Sequence, residues 1–363
     1  MGAGGRPAAA HLSGGGILRA AARPDFHRRG AGERQAHRQG QRQVEARGGT
    51  GRRRQPDRGT AHLTDIETRC GYVALIGAPN AGKSTLINRL VGAKVSIVSP
   101  KVQTTRRRVL GVAMQGAAQI VFVDTPGIFA PKRRLDRAMV AAAWGGTEEA
   151  DRIVLLVDAT KKKIDQDTFA IIAGLKKTGR KALCAINKID AVQRDKLLAL
   201  AAELSALFDF ERVFMISAES GDGVDDLMAE VAGSLPKGPH LFPEDQLTDL
   251  PMRMLAAEVT REHLFRQLHE EVPYALTVET DAWEEFKDGS AKVTQTIYLA
   301  RDNHKAIVIG KGGSRIKQVR EAAQHELQEM MGRQVHLFLF VKVRENWQED
   351  PERYREMGLD FES

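Results

Sequence analysis

From Tyr72 onward the chain alternates short apolar runs with longer stretches in which apolar residues recur every three or four positions. The runs Tyr72–Ile76, Val109–Ala113, Gln119–Val123, Arg152–Val157, Lys181–Ile186 and Val213–Ile216 predict strands. Four of them are almost continuously apolar, the pattern of a sheet covered on both faces. Helical spacing separates most strands, and a hairpin is expected between the second and third. The expectation is a doubly wound α/β domain with a mixed sheet, whose ligands lie beyond the carboxyl ends of the strands.

The pattern then changes. Ser234 to Pro251, "SLPKGPHLFPEDQLTDLP", carries four prolines in eighteen residues, which stops helix and strand alike and predicts a semi-rigid linker. Beyond it the spacing predicts a helix over Met252–Glu270 and two strands around Asp288–Ser290. A short helix, a glycine loop, a longer helix over Ser314–Met331 and a strand over Gln334–Arg344 follow. The resulting order, helix–strand–strand–helix–loop–helix–strand, defines a small α+β unit. The expected organisation is a tail over 1–63, an α/β domain over 64–235, a linker over 236–250, the α+β unit over 251–346 and a C-terminal tail over 347–363.

Composition changes this picture at one end only. The 363 residues are 42% hydrophobic, ordinary for a soluble globular protein, and no apolar run approaches the ~20 residues of a membrane span. Cys70 and Cys184 fall inside apolar strand patterns and read as buried thiols of a reducing compartment. The formal charge of +7 is unevenly placed. Residues 1–63 hold 13 arginines, no lysine and four acids, a net +9, which leaves −2 on the other 300 residues. That arginine-, glycine- and glutamine-rich stretch has too few large apolar residues to build a core. Three readings compete for it: a basic arm touching RNA, an organelle transit peptide, and sequence upstream of a true start near Leu63 or Thr64. Arginine without lysine favours the third, since it looks like codon bias without selection for a protein.

Two glycine loops carry the chemistry. Gly77 to Thr85, "GAPNAGKST", follows a predicted strand and opens a predicted helix, the context that makes G-x-x-x-x-G-K-[ST] a phosphate loop. The backbone of Gly77, Ala78, Pro79, Asn80, Ala81 and Gly82 is expected to wrap the phosphates, with the helix N-terminus adding partial positive charge. Lys83 should reach the β- and γ-phosphates, Ser84 should ligate Mg²⁺, and Thr85 completes the contact set. At the next strand end stands "DTPG", where Asp124 would hold Mg²⁺ through water, Thr125 and Pro126 are further expected nucleotide contacts, and Gly127 offers its N–H to the γ-phosphate. The polar, basic stretch Ser99–Gly111 reads as a mobile loop. Within it Thr105 is expected to close on Mg²⁺, with Thr104 its rival for that role. Lys83, Thr105 and Gly127 are the expected catalytic contacts.

The base follows from "NKID". Asp190 can accept hydrogen bonds from both N1–H and the exocyclic amine of guanine, and adenine lacks that amine. Asn187 and Lys188 frame it, and "SAE" (Ser217, Ala218, Glu219) ends the next strand, where the Ala218 N–H is expected at guanine O6. The expected ligands are therefore GTP and GDP. The residue after Gly127 is Ile128, which cannot orient a water as a glutamine does, so slow intrinsic hydrolysis is expected. Asn80 either binds a K⁺ ion between the phosphates or is a loop-stabilising amide.

The second loop, "GKGGS", is no second phosphate loop: Lys305 stands where the first glycine belongs, and Lys311 is followed by Gly312 rather than serine or threonine. It matches G-x-x-G, Gly310 to Gly313, the loop with which KH modules clamp about four nucleotides of single-stranded backbone. Ile307, Val308 and Ile309 before it, and Ile316 and Val319 after it, are expected packing positions. Lys311, Arg315, Lys317 and Arg320 supply charge for phosphates, with Lys305 nearby, and Lys342 on the last strand is a candidate phosphate contact.

In order along the chain, "GAPNAGKST", "QTTRRR", "DTPG", "NKID", "SAE", "LFPED" and "VIGKGGSRIK" resemble the Era family of bacterial GTPases over about residues 66–360. The resemblance implies a P-loop GTPase domain joined to a type II KH domain. It also implies a monomeric GTP-gated RNA clamp that binds the 3′ end of small-subunit ribosomal RNA and assists small ribosomal subunit biogenesis. Cytoplasmic location with peripheral association at the cell membrane comes with it. The competing class is a GTPase docking on membrane or division proteins, the C-terminal unit being a protein-interaction module.

Overall fold

In the computed structural model the described residues are 67–345 and 347–362; the stretch 1–63 and the calls made on it lie outside them. Nine-residue β1 (Arg69–Gly77) runs through the middle of a six-stranded sheet ordered β2-β3-β1-β4-β5-β6. Its neighbours are β2 (Val109–Gln115), β3 (Ala118–Asp124), β4 (Arg152–Asp158), β5 (Leu183–Asn187) and β6 (Val213–Ile216). The predicted hairpin is β2–β3, paired antiparallel from Val109↔Asp124 to Gln115↔Ala118, and all other pairings are parallel. The parallel strands need covered crossovers, which run through α1 (Lys83–Val91), α2 (Arg134–Glu149), α3 (Gln166–Thr178) and α4 (Arg194–Leu207), and α5 (Val224–Ser234) follows the last strand. Two apolar clusters result, one on each face. One gathers Val73, Leu75 and Phe122 with Leu86 and Val231; the other gathers Ala74, Ile76 and Leu155 with Ile171 and Leu204.

Local chemistry sets the helix ends. Helix α3 begins where the Asp165 carboxylate accepts the Thr168 N–H at 2.7 Å and ends at Gly179, left-handed at φ 65°, a helix stop that glycine adopts without steric penalty. Helix α1 has no side-chain cap at all. Its free N–H groups face the phosphate loop, which is the reason a cap would be out of place there.

The proline-rich segment is a strap rather than a free spacer. Gln119 Oε1 accepts the N–H groups of Leu241 and Phe242 at 2.8 and 2.9 Å, while its Nε2 donates to the Phe242 carbonyl at 2.8 Å. Further on, Val112 N–H donates to the Leu247 carbonyl at 2.9 Å, and Thr248 bridges Gly111 antiparallel. The strap thus covers the outer edge of β2, where unpaired backbone would invite aggregation.

After the strap come α6 (Met252–Gln267), β7 (Leu276–Glu285), β8 (Ala291–Leu299), α7 (Asn303–Ile309), α8 (Ser314–Met331) and β9 (Val335–Val343), the order read from the sequence. Helix α6 stops three residues short of the expected Glu270, because Leu268 is already extended and Glu270 turns left-handed at φ 56°. The sheet runs β7-β8-β9, antiparallel then parallel, and α6 and α8 share its apolar face through Phe265, Leu264, Val319 and Leu327.

Residues 347–362, expected as a trailing tail, are folded into the protein. Trp347, Tyr354 and Leu359 are buried. Trp347 Nε1 donates to the Ala275 carbonyl at 3.1 Å. Past the short helix α9 (Pro351–Glu356), Tyr354 and Leu359 pack on Leu135 and Met139 of α2. Among the described residues no helix is long and apolar enough to cross a membrane.

Candidate functional site

Parallel strands deliver their carboxyl ends to one edge of the sheet, and the sequence-predicted residues collect there. The loop after β1 closes tightly: a Cβ on Gly77 would lie 2.6 Å from the Leu156 carbonyl, and one on Gly127 would lie 3.1 Å from Pro79. Only glycine fits at Gly77, and Gly127 brings the "DTPG" turn against the phosphate loop. A cavity of about 230 Å³ opens here, lined among others by Gly82, Lys83, Ser84, Thr85, Gly127 and Lys188.

Lys83 is buried, and its Nζ donates to the carbonyls of Gly77 at 3.0 Å and Ala78 at 3.1 Å. Two neutral acceptors do not replace bulk water around an ammonium. Burial pulls its pKa down to about 8, and Asp124 opposes the fall. Asp124 is likewise pushed up by burial, against Lys83 and the hydroxyls of Ser96, Ser84 and Thr105.

Those oxygens form the metal candidate. Ser84 Oγ lies 2.8 Å from both Thr105 Oγ1 and Asp124 Oδ2, and Thr105 Oγ1 lies 3.5 Å from Asp124 Oδ2. Asp124 Oδ1 is buried without a partner, an orphaned carboxylate oxygen inside an all-oxygen donor set. That set fits a hard cation of the Mg²⁺ class. Between the rival threonines the geometry is unequal. Thr104 Oγ1 turns away, to Ser99 Oγ and the Lys101 carbonyl, both at 2.6 Å. Asn80 sits at the rim with φ 64° and donates its amide N–H to the Pro100 carbonyl at 2.9 Å. Thr125 has a structural contact, its hydroxyl donating to the Leu75 carbonyl at 2.8 Å. Ile128 is buried in the core and presents nothing polar to a water.

At the base end, buried Asn187 ties three segments: Nδ2 donates to the Ala81 carbonyl at 2.8 Å, and Oδ1 accepts the Ala218 N–H at 2.9 Å. The Ala218 amide, expected at guanine O6, is therefore engaged by Asn187 in this structure. Lys188 pairs with Asp158 at 2.7 Å, which holds the Asp158 carboxyl below its ordinary range against the opposing effect of burial. Asp190 and Glu219 are exposed at the rim, and Ser217 is buried. Arg89 closes this end, its Nε donating to the Ala218 carbonyl at 2.6 Å.

Sequence reading missed Ser96, whose hydroxyl donates to Asp124 Oδ2 at 2.8 Å, and Asn88, whose Oδ1 accepts the N–H groups of Val95 and Ser96 at 2.9 Å. Neither belongs to a motif. The loop Ser99–Gly111 was expected to be mobile for its charge, yet Arg106 within it is only 3% exposed. Its guanidinium leaves the nucleotide site and ends among the carbonyls of Pro273, Tyr274 and Leu276, at the start of β7.

The second loop lies between α7 and α8 as expected. Gly310, Gly312 and Gly313 all have positive φ, at 74°, 60° and 77°. A Cβ on Gly310 would meet Arg315 Cβ at 2.8 Å. Val308 and Val319 are buried and Ile316 packs beside them, but Ile307, expected to pack, is 42% exposed. Lys311 and Lys317 are exposed; Arg315 is half-buried and donates to the Ile307 carbonyl, and Arg320 is shared between Glu321 and Gln324. Lys342 is exposed on β9.

Comparison with known proteins now decides the family. Residues 72–188 match the model of the 50S ribosome-binding GTPase family, and residues 271–348 match the KH domain model. The chain is 60% identical to GTPase Era of Rhizobium meliloti (strain 1021) over 296 residues, covering 82% of this chain and 94% of that protein. The chain belongs to the Era GTPase family. With Era of Bradyrhizobium diazoefficiens the identity is 58%, covering 81% of this chain and 95% of the relative. Among solved structures, Era in complex with MgGDPNP and nucleotides 1506–1542 of 16S ribosomal RNA superposes with a TM-score of 0.76. It is 40% identical and covers 80% of this chain and 99% of that one. A variant of Aquifex aeolicus Era bound to GDP and AlF4⁻ gives the same values. An Era-type GTPase with a KH domain is thus what the sequence resemblance implied, in fold and in family.

Proposed function

We propose that this GTPase is a slow, GTP-gated RNA clamp that binds the 3′ end of small-subunit ribosomal RNA and assists small ribosomal subunit biogenesis. One observation carries the reading: the Era structure that this chain matches along 80% of its length holds both MgGDPNP and the 3′ segment of 16S ribosomal RNA. The G-x-x-G loop, with Lys311 and Lys317 exposed beside it, supports the RNA half of the assignment. In the proposed mechanism Lys83 gives up two carbonyls for the β- and γ-phosphates, and Gly127 offers its N–H to the γ-phosphate. Ser84, Thr105 and Asp124 would hold Mg²⁺, which when bound neutralises charge on those phosphates. Asp190 reads the guanine edge. Ile128 leaves the attacking water without an orienting amide, hence the slow rate. K⁺ at Asn80 is part of the proposal too: its carbonyl oxygen would take the ion while its nitrogen keeps Pro100. Turnover that is equal in K⁺ and Na⁺ would remove it.

The test is binding of a labelled oligonucleotide from the 3′ end of the small-subunit RNA, with a non-hydrolysable GTP analogue against GDP. Tighter binding with the analogue supports the gated clamp. Equal binding keeps the RNA module and removes the gate. No binding in either state moves the reading to a GTPase that docks on membranes or proteins.

A further inference from the structure

Thr105 is flanked by two residues held from outside the GTPase domain. On its C-terminal side, Arg106 Nη1 donates to the Leu276 carbonyl at 2.6 Å, and Nη2 donates to the carbonyls of Pro273 and Tyr274 at 3.3 Å each. The same guanidinium lies 5.6 Å from the centre of the Phe265 ring and 5.7 Å from that of Trp347. On its N-terminal side, the Thr104 carbonyl accepts Arg261 Nη2 from α6 at 2.5 Å. Arg261 is 1% exposed. Glu258 orients it, accepting Nε at 2.9 Å, and it too stacks on Phe265, at 5.0 Å. One phenyl ring therefore carries two arginines, one belonging to the loop and one gripping the loop carbonyl two residues before it.

We propose that Arg106 and Arg261 are positioning residues for Thr105, so that the RNA-binding unit completes the metal end of the nucleotide site. Every acceptor and ring that holds Arg106 comes from residues 265–276 or Trp347, and Arg261 itself belongs to α6. With those anchors in place the Thr105 hydroxyl is held 2.8 Å from Ser84 Oγ. Without them, both guanidinium groups would lose their carbonyl partners, and the Thr104 carbonyl would lose the Arg261 donor. The planar fork of arginine serves several carbonyls at once, which the point charge of a lysine does not. Because binding linkage is reciprocal, a triphosphate that draws Thr105 in also favours the docked arrangement of the KH unit. GDP has no γ-phosphate for the loop to close on and gains little from it.

The inference rests on the GTP-gated reading, but its test uses no RNA, so the two can fail separately. In the full chain, Arg261→Gln and Arg106→Lys are compared with wild type for affinity to a Mg²⁺-bound GTP analogue and to GDP. Amide hydrogen exchange of residues 99–108 is followed in both states. The expected result is analogue affinity lower by about 5–150-fold, the usual range of coupling between sites, with GDP affinity within about twofold. The analogue should no longer protect residues 99–108. Glu258→Gln, which only loosens the orientation of Arg261, gives a smaller shift in the same direction and serves if a stronger variant does not fold. A parallel fall in both affinities means a merely structural role and overturns the proposal, as does an unchanged ratio with protection intact.

Discussion

Asn187 Nδ2 stands 2.2 Å from where a Cβ on Gly82 would begin. The amide reaches across the site to the Ala81 carbonyl over Gly82, where no side chain stands in the way, so the base-side motif and the phosphate loop are built as one piece. Replacing Gly82 with alanine should displace Asn187 and weaken GTP and GDP equally. Asn187→Ala removes the partner of a buried carbonyl and of the buried Ala218 N–H, each costing about 1–3 kcal/mol when left unsatisfied. Thermal unfolding of the nucleotide-free protein should show that loss. Unchanged stability would mean the two groups find water instead.

Asp190 is exposed, three residues past the end of β5. Asp190→Asn turns an acceptor pair into one acceptor and one donor. GTP affinity should fall by orders of magnitude, on the scale of ~10⁴ for a site left with an unpaired edge, and xanthosine triphosphate, whose C2 carbonyl accepts a hydrogen bond, should gain. Competition binding of the two nucleotides measures it. If GTP still wins by the original margin, another residue reads the base.

Lys83 provides a pH signature. Its folded pKa, lowered to about 8 from 10.5 by burial, lies below its unfolded value, so the unfolded state binds more protons between those limits. Stability of the nucleotide-free protein should therefore gain from this group as pH rises through about 8 toward 10.5. Phosphates favour the charged form and lift the pKa again. Nucleotide binding should then take up protons above about pH 8, and affinity should decline as pH rises further. Titration calorimetry in buffers of different ionisation enthalpy reads the uptake directly. Lys83→Met should abolish it. Proton release instead of uptake at pH 9 would show that the phosphates do not sit at Lys83.

How much of this was legible in the sequence depended on how local its cause was. Helix α8 has the predicted bounds because Gly313 and Gly332 stop it at both ends. The phosphate loop, Asp124 and Asn187 were legible because each ends an apolar strand. Arg106 and Arg261 were not, because a charged residue in a basic or amphipathic stretch reads as solvated. Arg106 is held by a ring and three carbonyls far along the chain, and Arg261 by the distant Thr104 carbonyl and a ring on its own helix. The folded C-terminus was hidden for a related reason. Trp347, Tyr354 and Leu359 show neither strand nor helix period, since what buries them is distant in sequence: Trp347 donates to the Ala275 carbonyl, and Tyr354 and Leu359 pack on α2. Among the competing threonines, only the structure shows which hydroxyl faces Ser84.

Gly312 separates RNA binding from folding. Its φ of 60° and ψ of 25° lie in the left-handed region, which aspartate and asparagine enter more readily than other side chains. A Cβ placed there meets nothing within 4 Å. Gly312→Asp should thus cost about 1 kcal/mol or less of stability, with GTP affinity unchanged, because the loop is remote in sequence and in fold from the strand ends that form the nucleotide site. RNA binding, by contrast, should be lost, since a carboxylate would sit where phosphates have to approach the backbone. Gly312→Asn has nearly the same shape and backbone strain without the charge, and should retain more of the binding. The difference between the two variants isolates electrostatic repulsion from distortion of the loop. If Gly312→Asp binds the oligonucleotide as tightly as wild type, the G-x-x-G turn is only a helix connection, and the RNA must be gripped elsewhere.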